Sequence, residues 1–170
     1  MNEPTDKAVI DCAAYRAGVR VATLTLEEIP AALADPTLFV WLGLFEPGVA
    51  LLDEVQAAFQ LHDLAVEDAH RAHQRPKLDR YGESLFIVLR TAQFVGGQED
   101  LEFGETHLFV GPRYVVTVRH GSIKDHVGLR GRCELEPDRL ALGSGYVLYS
   151  LLDFVVDQYF PIVEALEEQF

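Results

Sequence analysis

The spacing of apolar positions divides the chain into segments of different period. Ala8 to Tyr15 and Val19 to Leu24 are short strand-like runs, and the acidic pair Glu27 and Glu28 opens a short helix. After the turn signal Asp35-Pro36, Leu38-Phe39-Val40-Trp41-Leu42-Gly43-Leu44 is a continuous apolar run with the β-branched and aromatic content of a buried strand. Glu46-Pro47-Gly48 stops it. Leu51, Leu52, Val55, Ala58 and Phe59 then fall at helical spacing. Leu61, Leu64, Ala65, Ala69 and Ala72 continue that period in a second helix, which ends before Pro76.

Strand-length runs rich in Val, Ile, Phe and Thr follow at Ser84 to Phe94, Leu101 to Val110 and Tyr114 to Arg119, divided by Gly96-Gly97 and Gly111-Pro112. They read as an antiparallel meander. Ser122 with Asp125 three residues on resembles an N-terminal cap, and Ile123, Val127 and Arg130 suit a helix broken by Pro137. Gly143-Ser144-Gly145 reads as a turn plus N-cap. From Tyr146 to Phe170 a helix carries Leu148, Leu151, Leu152, Val155, Tyr159, Ile162, Val163, Leu166 and Phe170 on one stripe. Asp153, Asp157, Glu164 and Glu168 share the opposite stripe, and no Lys or Arg follows Arg139. Pro161 removes a backbone donor and is expected to kink this helix near Asp157. The order of elements predicts an α/β fold of three layers (α/β/α), a mixed parallel/antiparallel β-sheet sandwiched between α-helices.

Composition narrows the function. A chain of 170 residues that is 49% hydrophobic can bury the core of one ordinary domain, which excludes a disordered tail or a disulfide-stapled miniprotein. Against 14 Lys and Arg stand 27 Asp and Glu, a formal charge of -13, so a sequence-independent grip on nucleic acid is excluded and cations are the natural partners. Cys12 and Cys133, with no CxxC spacing, are expected to be buried reduced thiols in a cytosolic compartment. There is no signal-like N-terminal segment, and no window reaches the roughly 18 apolar residues of a membrane span. The last helix stops in mid-pattern, which suggests an excised fragment.

Acids and imidazoles concentrate in Leu61-His62-Asp63-Leu64-Ala65-Val66-Glu67-Asp68-Ala69-His70-Arg71-Ala72-His73-Gln74-Arg75-Pro76-Lys77. Glu67, His70 and Asp63 or His73 lie at i, i+3 or i+4 spacings, as metal ligands on one helix face require. The same residues also suit surface and capping roles. A metal-dependent hydrolase built on Glu67, Asp68 and the nearby imidazoles is a competing reading, though no Gly-x-Ser-x-Gly elbow, phosphate loop or HExxH motif accompanies them. A third reading is an interaction domain whose acidic helix meets a basic protein. His107, His120 and His126 read as strand, turn and helix residues.

The ordered set Trp41-Leu42-Gly43-Leu44, Leu64-Ala65-Val66-Glu67-Asp68-Ala69, Gln74-Arg75-Pro76-Lys77, Tyr81 with Leu85-Phe86-Ile87-Val88-Leu89, Tyr146 to Asp153 and Val156 to Pro161 resembles the cytoplasmic domain of the CorA family of divalent-cation transport proteins. That family includes magnesium, cobalt and zinc members. The resemblance covers roughly Leu38 to Phe170. It implies a regulatory domain over residues 1–145 and a helix over 146–170 that leads toward a stalk and membrane segments outside this sequence. By the same resemblance the parent is a homopentamer in the cell membrane, not an enzyme. The domain lies on the cytoplasmic face, touches neighbouring subunits but not the membrane, and senses Mg2+, with Co2+ or Zn2+ as alternatives. Glu67, Asp68, His73, Asp153 and Asp157 are the implied metal residues, in a weak site between subunits. Asp63 follows His62 where many relatives have Pro. The family's Gly-Met-Asn pore motif is absent, so this stretch alone is not expected to transport an ion.

Overall fold

The computed structural model describes residues 7–71, 73–94, 100–121 and 127–168. Seven strands form one mixed sheet: β1 (Val9–Arg16), β2 (Val19–Thr23), β3 (Leu38–Phe45), β4 (Lys77–Tyr81), β5 (Ser84–Phe94), β6 (Leu101–Gly111) and β7 (Tyr114–His120), in the order β2-β1-β3-β7-β6-β5-β4. Only β3 and β7 run parallel, from Val40 opposite Tyr114 to Phe45 opposite Arg119. Every other neighbouring pair is antiparallel. A parallel pair needs a crossover, and everything from β3 to β7 supplies it. The edge strand β4 escapes a reading by apolar runs because polar residues alternate in Lys77-Leu78-Asp79-Arg80-Tyr81.

Alternation along the central strands explains why β3 reads as one apolar run. Val40, Leu42 and Leu44 of β3, with Val116 and Val118 of β7, point to one face, where they meet α1 (Ile29–Ala34), α2 (Val49–Phe59) and α3 (Asp63–His70). Phe39 and Trp41 point to the other, with Val115, and meet α4 (Val127–Glu134), α5 (Pro137–Leu140) and α6 (Ser144–Glu167). The sheet is therefore covered on both faces, as expected of the α/β/α arrangement. Cys12 and Cys133 are buried free thiols in the two separate cores, and burial pushes Cys12 up to about 12.

Several boundaries differ from the sequence reading. α3 ends at His70, well before Pro76. Leu64 is exposed, because the buried side of α3 is Ala65, Val66 and Ala69. α6 buries Val147, Ser150, Leu151, Val155, Ile162 and Ala165, whereas Leu152, Val163 and Leu166 face outward. Its apolar residues nearly encircle the helix, so periodicity could not choose the docked side. The helix runs through Pro161 as one element. Gly143, at φ +73°, is its N-cap, and Ser144 instead donates its hydroxyl to the Pro112 carbonyl at 3.3 Å. The Gly96-Gly97 turn, the Ser122 cap with Ile123 and Asp125, His126 and Phe170 lie outside the described residues.

The β1–β2 turn is set by Ala17 and Gly18, both at positive φ, the backbone that a tight hairpin of this twist demands. A Cβ on Gly18 would run into the Pro137 carbonyl and stand 2.8 Å from the Ala141 nitrogen. Gly18→Ala is therefore expected to lower stability by about 2 kcal/mol or more in chemical denaturation, through left-handed strain and displacement of α5.

Candidate functional site

The acidic stretch is built by the packing of α3. His62 caps the helix, its Nδ1 accepting the Leu64 N–H at 3.3 Å, and its ring stacks on Tyr81 at 4.0 Å. Asp63 accepts a hydrogen bond from Gln56 Nε2 at 2.6 Å. Because Ala65, Val66 and Ala69 must face the core, Glu67 and Asp68 leave on other sides. Glu67 is exposed and pairs with Arg71 at 2.9 Å one turn later. Asp68 is held by Lys77 Nζ at 2.6 Å, and the same ammonium reaches Asp79 at 2.9 Å. Hydrogen bonds to Asp68 and Asp79 hold the Lys77 ammonium above its ordinary range. His70 points to Asp53 of α2 at 3.4 Å.

Asp153 and Asp157 belong to α6 and are exposed one turn apart, with no hydrogen bond or ion pair among the described residues. They lie on the opposite side of the sheet from α3. Within one chain the structure thus keeps Glu67 and Asp68, on α3, away from Asp153 and Asp157, on α6. His73 sits beyond α3, exposed and at φ +72°. Among the described residues no three His, Cys, Asp or Glu side chains stand where they could hold one metal ion.

A cleft of about 390 Å³ beside His73 collects residues that the sequence reading treated as ordinary. Glu105 and His107 project from one face of β6, and Glu105 lies directly across from His120, which is the last residue of β7 and not a turn residue. Glu105 is only 4% exposed. Its Oε2 accepts from the Gln74 N–H at 3.2 Å and from His107 Nε2 at 3.1 Å, while Arg90 stands 3.7 Å from Oε1. His120 contacts Glu46 Oε2 at 3.1 Å and the Ala69 carbonyl at 3.2 Å. Glu46 also accepts the Gly121 N–H at 2.7 Å. Burial acts to raise the Glu46 carboxyl, but the Gly121 and His120 bonds outweigh it and hold it below its ordinary value. Burial keeps the His107 imidazole below the usual histidine range, against the pull of Glu105. The available signal was Glu105-Thr106-His107, three consecutive polar residues followed in the same strand by the apolar run Leu108-Phe109-Val110.

The chain has similarities to known proteins. A family model described as CorA-like Mg2+ transporter protein matches residues 37–170. YfjQ of Bacillus subtilis (strain 168), a protein named for metal ion transport, is 33% identical over 129 residues, which are 76% of this chain and 39% of that protein. The cobalt/magnesium transport protein CorA of Thermotoga maritima is 29% identical over 140 residues, 79% of this chain and 39% of that one. The chain therefore spans about two fifths of the length of these curated relatives. Among solved structures, the full-length CmaX protein superposes with TM-score 0.73 over 99% of this chain and 51% of its own, at 20% identity. The ZntB cytoplasmic domain from Vibrio parahaemolyticus gives 0.69 over 95% of this chain and 63% of its own, at 9% identity. At these identities the two structures speak for the fold.

The Asp68 and Lys77 ion pair carries its own test. A double-mutant cycle with Asp68→Asn and Lys77→Met is expected to give a coupling energy of about 1 kcal/mol at low salt, decreasing as salt is added. Zero coupling would show that the two side chains do not meet in solution.

Proposed function

The chain belongs to the family of CorA-like Mg2+ transporter proteins, and from that premise we propose that it is the cytoplasmic regulatory domain of a divalent-cation transporter, with Mg2+ as the first cargo and Co2+ or Zn2+ as alternatives. The observation that carries the reading is the family match over residues 37–170. In this reading α6 leads toward a stalk and pore that belong to the longer protein. The domain senses cation through Glu67, Asp68, His73, Asp153 and Asp157.

The geometry supports a particular form of that sensor. Acids on opposite sides of a sheet cannot share an ion within one chain, but a head-to-tail ring puts two different patches of the same chain against each other. In such a homo-oligomer, a pentamer in this reading, the α3 side of one subunit would face the α6 side of the next. A hydrated Mg2+ needs only one or two carboxylates and retains several waters, so it can bridge surfaces that form no cage alone. Asp153 and Asp157 are free to take it. Asp68 has first to yield its oxygen from Lys77. The site is accordingly weak, as release at low cation concentration requires.

Reconstituting the full-length protein in vesicles and following uptake of Mg2+, Co2+ and Zn2+ tests the transport reading, and no uptake of any of the three would overturn it. Sensing is tested separately on the same protein with Asp153→Lys and Asp157→Lys together. Fixed ammonium groups should replace mobile cations, so protection from proteolysis should depend less on added Mg2+, while stability changes by about 0.5 kcal/mol or less at these exposed positions. Unchanged Mg2+ dependence in a correctly assembled variant would remove Asp153 and Asp157 from the sensor and leave the transport reading standing.

A further inference from the structure

We propose that the cavity between α4 and the face of β1, β3 and β7 beneath it is a binding site for a small carboxylic acid, whose carboxylate is held over Gly43 by Arg130 and Thr117. The cavity has a volume of about 190 Å³. Its floor is one row of the sheet, in which Asp11 of β1 and Thr117 of β7 are the register partners of Gly43 on either side. Arg130 and Glu134 of α4 close it, and Ile10, Trp41 and Leu151 supply apolar wall. Arg119, whose guanidinium lies over the Phe45 ring at 5.3 Å, also lines it.

Topology and backbone both single out this place. β3 and β7 are parallel neighbours, yet the chain leaves β3 for α2 on one face and leaves β7 for α4 on the other. Strands whose connections diverge in this way open a crevice toward their carboxyl ends, where α/β sheets bind ligands. β1 carries a bulge at Ile10, between Val9 opposite Leu44 and Asp11 opposite Gly43. Bulges collect beside binding sites because they re-aim the neighbouring side chain.

Gly43 is the third sign. It stands inside the central strand with ordinary strand backbone, and a Cβ there would meet nothing beyond its chain neighbours closer than 3.6 Å. Neither conformation nor packing requires glycine at this position, and a glycine within a strand weakens it. What the missing side chain leaves is a place bounded by Arg130 Nη2 and Thr117 Oγ1, each 3.6 Å from where the Cβ would be, and by the Asp11 carbonyl at 3.8 Å.

The donors at that place can take a ligand. Arg20 engages both oxygens of Asp11, at 2.9 and 2.7 Å. Glu134 accepts from the Tyr15 hydroxyl at 2.7 Å and from Arg20 at 3.4 Å. Both carboxylates of the cavity are therefore answered by other groups. Arg130 is only 8% exposed and uses Nη1 on the Trp41 carbonyl at 3.1 Å and the Tyr15 hydroxyl at 3.4 Å, with Asp11 3.4 Å away. Its Nη2 has no hydrogen-bond partner among the described residues. Thr117 is buried and reaches the Leu42 carbonyl only at 3.5 Å, a length at which the hydroxyl gains by turning to a charged acceptor. A guanidinium N–H and a hydroxyl converging on one point match a carboxylate, and the apolar wall matches a short carbon chain. The site shares no residue with the proposed cation sensor and stands or falls apart from it.

Amide NMR titrations of the 170-residue chain with acetate, butyrate and inorganic phosphate, at one ionic strength set with sodium chloride, test the assignment. Acetate and butyrate should shift the Gly43 and Thr117 amides saturably, with butyrate bound about tenfold more tightly because its further CH2 groups reach the apolar wall. Thr117→Val removes the hydroxyl and should weaken butyrate binding about tenfold. Gly43→Ala puts a methyl group where the carboxylate sits and should abolish the saturable shifts. Its thermal unfolding should show a chain no less stable than the unaltered one, since the Cβ fits and the unfolded chain loses freedom. No saturable shift with either carboxylate, unchanged butyrate affinity in Gly43→Ala, or tighter binding of phosphate than of butyrate overturns the assignment. Should Thr117→Val fail to fold, Gly43→Ala decides alone.

Discussion

The two-sidedness of β3 governs the arrangement of everything else. Successive side chains of a strand point to opposite faces, and β3 is buried on both, so Val40, Leu42 and Leu44 require one helical cover while Phe39 and Trp41 require another. The parallel pairing with β7 makes the chain leave the sheet after β3 and return through β4, β5 and β6. The first cover, α1 to α3, comes from either side of β3 in sequence, and the second, α4 to α6, comes only after β7. Residues that are equally acidic in the sequence are thereby sorted: Glu67 and Asp68 go with the first cover, Asp153 and Asp157 with the second.

That sorting also explains what was legible in the sequence. The apolar run of β3 announced itself, since burial on both faces leaves no polar interruption, and the long strands β5 to β7 did so through their Val, Ile, Phe and Thr content. The side of α6 that docks did not. Leu148 to Leu166 supplies enough apolar residues for more than one face, and only the sheet beneath decides that Val147 and Leu151 go in while Leu152 and Val163 go out. Residue type likewise showed that Glu67 and Asp68 are acids but not that Lys77 and Arg71 already answer them. Glu105 and His107 in the middle of β6, and His120 at the end of β7, were missed for a simpler reason. A histidine in a strand is usually a packed histidine, and it gains a different meaning only when the cross-strand register sets Glu105 against His120.

Charge is distributed unevenly over this framework. Most of the described basic residues are engaged in the body of the domain: Arg20 spans Asp11 and Glu134, Lys77 spans Asp68 and Asp79, and Arg113 donates to the carbonyls of Leu33 and Asp35 at the end of α1. Arg130 lies over the Trp41 ring at 4.3 Å and donates to the Trp41 carbonyl at 3.1 Å, which fixes α4 to the central strand. Little positive charge is left for the last helix. The stretch after Arg139 carries Asp153, Asp157, Glu164, Glu167 and Glu168 with no Lys or Arg, so its own acids go without a basic residue of the same stretch.

On α6 this imbalance meets a second one. Tyr149, Val156, Phe160, Val163 and Leu166 are exposed on the same helix that carries the free acids, so its outer surface has both apolar area and negative charge in excess of what the described residues cover. Either property alone is ordinary on a surface helix. Together they oppose each other in assembly: apolar contact favours bringing a second surface close, and like charges at one-turn spacing resist it. A mobile divalent cation changes only the second contribution, because it offsets the repulsion without altering the apolar contact. The proposed sensor therefore needs no preformed cage of ligands: an assembly balanced in this way would respond to cation concentration through surface chemistry alone.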